Sequence, residues 1–205
     1  NQQTLRNYIH YLEDSGQINR EPEHRRIYDY VFDTPPGEQM LIDFGEETLS
    51  KTTHIHFMCL LLRYSRFLCV YAQDHKYNSE EACKAIYHSF CRLGGRPKEL
   101  VIDQDAVFVA SETYGEVIKT RTFEDFCTEQ DLRLWVCNKA DPESKGPIEN
   151  SVGFVKKNFF SARKVTCIDD VWRSLPGWLE RKNQRIHRST LRVPKAVYDS
   201  VEKSA

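Results

Sequence analysis

The chain has 205 residues, of which 40% are hydrophobic, 12% aromatic and 29% charged, with 29 Lys and Arg against 30 Asp and Glu. This length suits one globular domain with appendages, and aromatic residues spread along the whole chain argue against intrinsic disorder. No apolar run approaches the roughly 18 residues of a transmembrane helix, and the first twenty residues lack the pattern of a secretory signal. We therefore expect a cytoplasmic protein with no membrane partner.

Seven cysteine residues raise the question of disulfides or a zinc site. The number is odd and no pair has C-x-x-C spacing, while Cys59, Cys69 and Cys137 lie in apolar, strand-like runs. Buried free thiols in a reducing compartment are therefore the better interpretation. His54 and His56 share one face of a predicted strand, but no third ligand stands at a recognisable spacing, so ordinary strand histidines are favoured.

Charge is distributed unevenly along the chain. Residues 139–195 contain 13 Lys and Arg against 6 Asp and Glu, a net charge of +7, which leaves −8 for the remainder. Such a stretch is either a solvated helix face or the binding surface for a polyanion. Charge alone favours neither interpretation.

Hydrophobic periodicity and turn residues predict the elements of the first half of the chain. They are a helix over residues 4–14 with a charged connector to residue 26, strands at 27–32, 39–44, 54–63 and 67–73, and a helix from its N-cap Ser79 to Gly94-Gly95. The short junction at residues 63–66 is typical of a hairpin, so the two strands that flank it are expected to pair antiparallel.

The second half alternates strands with helices. The predicted elements are a strand at 100–102, a small hairpin inserted at 106–109 and 116–118, a helix at 122–130, a strand at 132–137, a helix from Pro147 to about Phe160, a helix from Asp169 with a kink at Pro176, and a last helix at 196–201. Antiparallel strands followed by crossover units predict a mixed α/β sheet flanked by helices. We expect a linker at residues 1–26, a core at 27–165 and a C-terminal helical extension at 166–205.

Three carboxylates stand out by their placement. Asp43 lies inside the first sheet strand among apolar residues, and Asp103 directly follows the strand at 100–102. Glu149 falls in the first turn of the helix that is predicted to open at Pro147. If those two strands are adjacent and parallel, Asp43 and Asp103 lie side by side, and the helix after the fifth strand can bring Glu149 across from them.

Three such acids need cations, because like charges held together repel each other. Mg²⁺ prefers a few carboxylates plus substrate phosphate, and two such ions about 3.5–4 Å apart serve phosphodiester chemistry. Each acid alone also has a structural interpretation, as a strand acid paired with Lys, a turn residue or a favourable charge at a helix N-terminus. The neighbouring acids Glu46, Glu47, Asp105 and Glu143 rank lower as candidates.

Three motifs carry a resemblance to a known family. They are Leu41-Ile-Asp43-Phe-Gly-Glu46, Val101-Ile-Asp103-Gln-Asp105 and Asp141-Pro-Glu-Ser-Lys-Gly-Pro-Ile-Glu149-Asn, the last continuing as Val152-Gly-Phe-Val-Lys-Lys-Asn-Phe159. Together they resemble the catalytic domain of DDE transposases and retroviral integrases. The likeness is greatest to IstA-type transposases of bacterial two-gene insertion sequences, and it covers roughly residues 27–200. The segments Arg185-Ile-His-Arg-Ser-Thr190 and Val193-Pro-Lys195 extend it.

The resemblance implies an RNase H-like fold: a five-stranded mixed sheet, three strands antiparallel and then two parallel, with extra C-terminal helices. It also implies that Asp43, Asp103 and Glu149 form a catalytic triad that binds two Mg²⁺ or Mn²⁺ ions. The expected partners are DNA, further copies of the full-length protein and an AAA-type ATPase helper, at the bacterial nucleoid. Two departures from the family are visible: the hairpin at 106–118 accounts for a long Asp103–Glu149 separation, and Pro147 replaces a Lys found in many relatives.

Further residues near the third motif are expected to hold DNA phosphates. Lys156 lies about two helical turns beyond Glu149 on the same face. The predicted DNA-binding residues are Lys145, Asn150, Lys156, Lys157, Arg163, Lys164, His187 and Arg188. Lys156 and Lys157 also fit the solvated side of a helix packed through Val152 and Val155, and His187 also fits a helix cap.

The sequence therefore predicts the catalytic domain of a DNA transposase that cuts element ends and joins the 3′-hydroxyl to target DNA. Two alternatives stay open: a metal-dependent nuclease of the same fold without strand transfer, and a catalytically inactive module for DNA binding or assembly. A two-carboxylate glycosidase explains neither the basic stretch nor the third acid.

Overall fold

The computed structural model describes residues 4, 7–8, 11–12, 15, 34–113, 116–137 and 142–205, without the side chains of residues 112–113, 116 and 142–146. Two compact units are present, Asn1–Phe32 and Asp33–Ala205. In the first unit residues 4, 7, 8, 11 and 12 are helical, as predicted for that segment. The strand predicted at 27–32 and the boundary predicted after residue 26 lie outside the described residues.

A five-stranded mixed sheet forms the centre of the second unit. Its strands are β1 (Gln39–Thr48), β2 (His54–Leu62), β3 (Leu68–Gln73), β4 (Glu99–Ile102) and β7 (Arg133–Val136), in the order β3-β2-β1-β4-β7. The pairs β1–β2 and β2–β3 are antiparallel, and the pairs β1–β4 and β4–β7 are parallel. The predicted mixed sheet is confirmed. A separate hairpin of β5 (Val109–Thr113) and β6 (Glu116–Lys119) is inserted between β4 and β7.

Helices connect and follow these strands. They are α1 (Ser79–Leu93), α2 (Arg121–Glu129), α3 (Pro142–Val155, continued by a turn of π-helix over Lys156–Phe160), α4 (Ile168–Asn183) and α5 (Pro194–Val197, continued by a turn of π-helix over Tyr198–Glu202). Among the described residues, no helix has the length and apolar character needed to cross a bilayer.

The start of α1 is one residue earlier than predicted. Asn78, not Ser79, is the N-cap: its side chain accepts the backbone N–H of Glu81, and the Glu81 carboxylate accepts the backbone N–H of Asn78. This reciprocal pair satisfies two N–H groups that the helix leaves open, whereas a cap at Ser79 would satisfy fewer. The helix ends as predicted at Gly94, whose φ of 74° suits glycine.

The inserted hairpin begins later than predicted. Residues 106–108 form a turn, because the Asp105 carboxylate accepts the N–H of Val107 and the Asp105 carbonyl accepts the N–H groups of Phe108 and Val109. Phe108 is then buried against the core instead of lying in the first hairpin strand. A local side-chain turn therefore overrides the apolar run on which the predicted strand rested.

Helix α3 begins five residues before its predicted start. Pro142 opens the helix and Pro147 lies inside it. A proline suits the first helical position wherever one is available, and Pro142 takes that position. Pro147 then removes one intrahelical hydrogen bond. The prediction that Glu149 lies in the first turn is wrong: it lies about two turns into the helix.

Alternating residues of the strands bury two hydrophobic clusters on opposite faces of the sheet. One cluster joins even-numbered residues of β1 and β4, such as Met40 and Leu100, to α1 and α2. The other joins Leu41 and Val101 to α3 and α4. The residue two positions beyond Leu41 in the pleat of β1 therefore shares the face on which α3 lies.

The C-terminal helices are tied to the sheet by buried polar contacts. The Asn183 side chain at the end of α4 bonds both the N–H and the carbonyl of Leu68 on the edge strand β3. The Glu202 carboxylate accepts the N–H groups of Gly37 and Ser65. Trp178 is buried, as expected, whereas Trp172 is 55% exposed and donates its indole N–H to the Ala72 carbonyl.

Candidate active site

The parallel pairing of β1 and β4 brings the strand that carries Asp43 next to the strand that Asp103 follows. Leu41 lies opposite Val101, two residues before each acid, and β4 ends at Ile102, so Asp103 is the first residue after that strand. Neighbouring strands are about 4.8 Å apart, and the pleat of β1 turns the Asp43 side chain to the face of Leu41, on which α3 lies. The two carboxylates are half-buried, and each accepts the N–H of the residue that follows it, Phe44 at 2.9 Å and Gln104 at 2.7 Å.

Two neighbours on β2 shape the surroundings of Asp43. Cys59 is its partner in the antiparallel register and is fully buried. Burial, followed by the negative charge of Asp43, raises the pKa of the Cys59 thiol, which stays protonated. Phe57 fills the space beside Gly45: a Cβ built on Gly45 would lie 2.3 Å from the Phe57 ring. The glycine therefore allows β2 to pack closely at the position of the acid.

Glu149 lies on α3, the helix that packs against the same face of the sheet as Leu41. Ile148, its neighbour, is buried in the cluster that α3 forms with β1 and β2, while the Glu149 side chain is exposed. Within the described part of the chain, no three His, Cys, Asp or Glu side chains lie close enough together to hold a metal ion. Asp43 thus lies on β1, Asp103 directly after β4 and Glu149 on an adjoining helix, and their convergence on one cation stays a prediction.

The donor set fits a hard divalent cation. Asp43, Asp103 and Glu149 offer carboxylate oxygens only, and the protonated Cys59 adds no thiolate. Oxygen ligands in small number are what Mg²⁺ and Mn²⁺ prefer. His54 and His56 lie elsewhere on β2 and contact the Glu46 carboxylate at 3.1 and 3.7 Å.

The predicted DNA-binding residues fall into two groups. Asn150, Lys157, Lys164 and Arg188 are exposed and Lys156 is half-buried, whereas the side chain of Lys145 lies outside the described residues. Regular α-helix from Glu149 to Val155 keeps Lys156 on the face of Glu149. These residues are available for phosphate contacts.

Arg163 and His187 have structural partners of their own. The Arg163 guanidinium donates to the carbonyls of Asn158 and Phe159 and lies 5.1 Å from the Phe159 ring centroid. His187 is half-buried; burial, then the charges of Lys182 and Arg66, lower its pKa to about 4. The imidazole is therefore neutral near pH 7.

Sequence reasoning missed a group of cations at the end of α4. Arg181, Lys182 and Arg185 meet Arg163 around a cleft of about 250 Å³. The positive charge of residues 139–195 was the signal for this surface. The packing of α3 against α4 decides which of those charges converge.

The sequence is similar to part of two transposases. The transposase for an IS21-like insertion sequence element of Bacteroides fragilis is 34% identical over 207 residues, covering 98% of this chain and 40% of that protein. The transposase for IS21 of Pseudomonas aeruginosa is 25% identical over 152 residues, covering 72% of this chain and 39% of that protein. The chain thus spans about two fifths of the length of these curated relatives. No protein-family model matches it.

The fold is shared with retroviral integrases. The catalytic core domain of HTLV-2 integrase, in its dimeric magnesium complex, superposes with a TM-score of 0.60 at 15% identity and covers 81% of this chain and 99% of that core. At this identity the likeness is one of fold. It confirms the predicted RNase H-like class.

Proposed function

Because this chain is a transposase/integrase-type core related to the IS21-like transposases, we propose that it is the catalytic domain of a DNA transposase. The domain cuts a phosphodiester bond at the ends of a mobile element and joins the freed 3′-hydroxyl to target DNA. The parallel pairing of β1 with β4, which brings the strand of Asp43 next to the strand that Asp103 follows, is the observation that supports the proposal. Glu149, on the helix that packs over the same face, completes the triad.

Asp43, Asp103 and Glu149 would hold two divalent ions. Bound there, Mg²⁺ or Mn²⁺ would supply Lewis-acid activation of the attacking oxygen and stabilise charge on the leaving oxygen. Asp43 lies on β1 and Asp103 directly follows the adjacent β4, so repulsion between the two carboxylates in the absence of a cation would favour cation binding. No side chain acts as a covalent nucleophile, since water and then the DNA 3′-hydroxyl attack in line.

The chain's cations bind and orient the DNA in this proposal. Lys156, on the face of Glu149, is suited to hold a phosphate close to the acids, and Lys145, Asn150 and Lys157 are further proposed phosphate contacts. Lys164 and Arg188 extend the contacts. Arg163 contributes through the cleft that it lines, and the neutral His187 can contact phosphate only as an uncharged hydrogen-bond donor.

The partners are inferred from the resemblance to IstA-type transposases. We infer that the full-length protein acts as a multimer that pairs two DNA ends at the bacterial nucleoid, with an AAA-type ATPase as its helper. These inferences concern the longer protein, since this chain covers 40% of its transposase relative from Bacteroides fragilis.

Replacing Asp43 by Asn in the full-length protein tests the proposal. The substrate is a labelled duplex carrying the element end, with a circular target and Mg²⁺ or Mn²⁺. Loss of one carboxylate ligand is expected to lower cleavage and joining by about two orders of magnitude or more, since even outer partners of metal sites cost 10–100-fold. Glu47→Gln, a change of a nearby acid on β1, is the matched control and is expected to retain activity.

The same assay separates the alternatives. Wild-type activity in Asp43→Asn would refute the assignment of the acid. Cleavage of the terminal duplex without joining would identify a nuclease of this fold, and DNA binding without cleavage in either metal would identify an inactive binding module.

A further inference from the structure

A cleft between the end of α3 and the end of α4 gathers positive charge away from the three acids. It encloses about 250 Å³ and is lined by Phe154, Asn158, Ala162, Arg163, Trp178, Arg181, Lys182 and Arg185. Four of these eight residues are cations and none is an acid. We call this site the cationic cleft.

The four cations have no carboxylate partner among the residues that the structure describes. Elsewhere in the described part of the protein cations are paired: Lys84 contacts Glu80 at 2.6 Å and Lys195 contacts Asp199 at 2.8 Å. Even Arg173, on α4 itself, lies 3.8 Å from Asp170. Four like charges around one cavity raise the local potential and attract an anion.

Aromatic rings hold two of the cations in place. The Phe154 and Trp178 rings stack with centroids 5.7 Å apart, and the Lys182 ammonium lies 5.3 Å from the Phe154 centroid. Arg163 is fixed over Phe159 and by its two carbonyl contacts. Cations that are already ordered lose less side-chain entropy when a ligand arrives. Burial also lowers the pKa of Lys182, as expected of an ammonium that lacks an anionic partner.

We propose that the cationic cleft binds a backbone phosphate of DNA, remote from the phosphodiester that reacts. This proposal rests on the proposed function. Asn158 lies nine residues beyond Glu149, about 13 Å along the helix at 1.5 Å per residue. Successive phosphates of one strand advance about 3.4 Å along a duplex, so the cleft holds a different phosphate from the one at the acids.

A structural role for the cations and a smaller ligand would each give a different result. Arg181 lies in the last turn of α4, where cations also stabilise the helix dipole; that role would lower thermal stability and leave DNA affinity unchanged. A free phosphate compound shares the chemistry of the DNA backbone, and inorganic pyrophosphate serves as its probe.

The test is the double variant Arg181→Gln/Arg185→Gln of the full-length protein, with Arg173→Gln as the control on the same helix. Affinity for the labelled element-end duplex is measured in EDTA at several salt concentrations, so that binding is separated from catalysis. We expect affinity to fall about 5–20-fold and the slope of log K against log salt to lose about 0.9, because one phosphate contact contributes about that much. The control and the melting temperatures should stay unchanged.

Unchanged DNA affinity and slope in the double variant would overturn the proposal. So would a fall in melting temperature without a change of slope, or a loss of pyrophosphate binding with DNA binding intact. If the double variant loses DNA affinity as expected while the wild type neither cuts nor joins DNA, the cationic cleft stands and the proposed function fails.

Discussion

The predicted acid site and the cationic cleft each gather like charges, but different parts of the chain build them. In the interior of the sheet, backbone hydrogen bonds pair β1, which carries Asp43, with β4, which ends one residue before Asp103. In the cleft, the cations come from the end of α3 and the end of α4, and aromatic side chains position two of them. The first arrangement therefore depends on strand packing, and the second on how the C-terminal helices dock.

The largest effect on stability is expected where the strands pack most closely. In Gly45→Ala the new methyl group would lie 2.3 Å from the Phe57 ring, which is fully buried and has no space to move aside. We expect the free energy of unfolding to fall by about 2–3 kcal/mol, within the range for overpacked cores. Urea denaturation measures the change.

Gly153 provides the matched control for this prediction. A Cβ at Gly153 has no neighbour within 4 Å, and the residue lies in α3, so Gly153→Ala is expected to stabilise by about 0.5–1 kcal/mol. Phe57→Leu combined with Gly45→Ala should recover part of the loss. Equal stability of Gly45→Ala and the wild type would show that β1 and β2 are not packed as described.

A smaller effect is expected where α4 docks on the edge strand. Asn183 is 2% exposed, and its side chain satisfies both backbone groups of Leu68 at 3.0 and 2.9 Å. Asn183→Ala leaves two buried backbone groups unpaired, for an expected loss of about 2 kcal/mol in unfolding free energy. Since α4 carries the cationic cleft, the salt dependence of DNA binding should weaken as well.

The exposed neighbour Gln184 is the control for Asn183. Gln184→Ala is expected to change the unfolding free energy by less than about 0.5 kcal/mol. A loss in Asn183→Ala no larger than that of Gln184→Ala would contradict the inferred docking of α4 on β3.

The strands could be predicted from sequence, whereas their register and the helix junctions could not. Apolar runs identified β1 and β4, and the crossover pattern predicted a mixed sheet, but the parallel pairing of these two strands was only a condition of the predicted acid site until the structure gave it. The start of α3 was predicted wrongly because Pro142 and Pro147 carry the same local preference, and only the whole fold selects the first. The same holds for the N-cap, where the reciprocal contact between Asn78 and Glu81 decides between adjacent polar residues.

The cationic cleft could not be predicted from the sequence, for a different reason. The excess of charge over residues 139–195 was visible, but its members are spread over several elements and most face solvent separately. Convergence of Arg163 with Arg181 and Arg185 requires the stacking of Phe154 on Trp178, a contact between helices. Tertiary packing alone selects these cations from the rest.

The smallest expected effect is a pH dependence from His187, at the edge of the C-terminal helices. Its pKa of about 4 in the folded protein lies below the usual value of 6.5, because burial and then the charges of Lys182 and Arg66 disfavour protonation. Between these two pH values the unfolded chain binds more protons, so stability is complete above about pH 6.5 and declines as the pH falls towards 4. Solvent screening of a half-buried group limits the loss to about 1 kcal/mol.

His187→Gln should remove this decline in stability, measured by urea denaturation at pH 4.5 and pH 7. The control Lys195→Gln, which removes a half-buried cation on α5, should keep the decline. Because the wild-type imidazole is neutral above pH 6, His187 should cause no change in DNA affinity between pH 6 and 7.5. A higher affinity at pH 6 that His187→Gln abolishes would mean that the imidazole binds the phosphate as a cation.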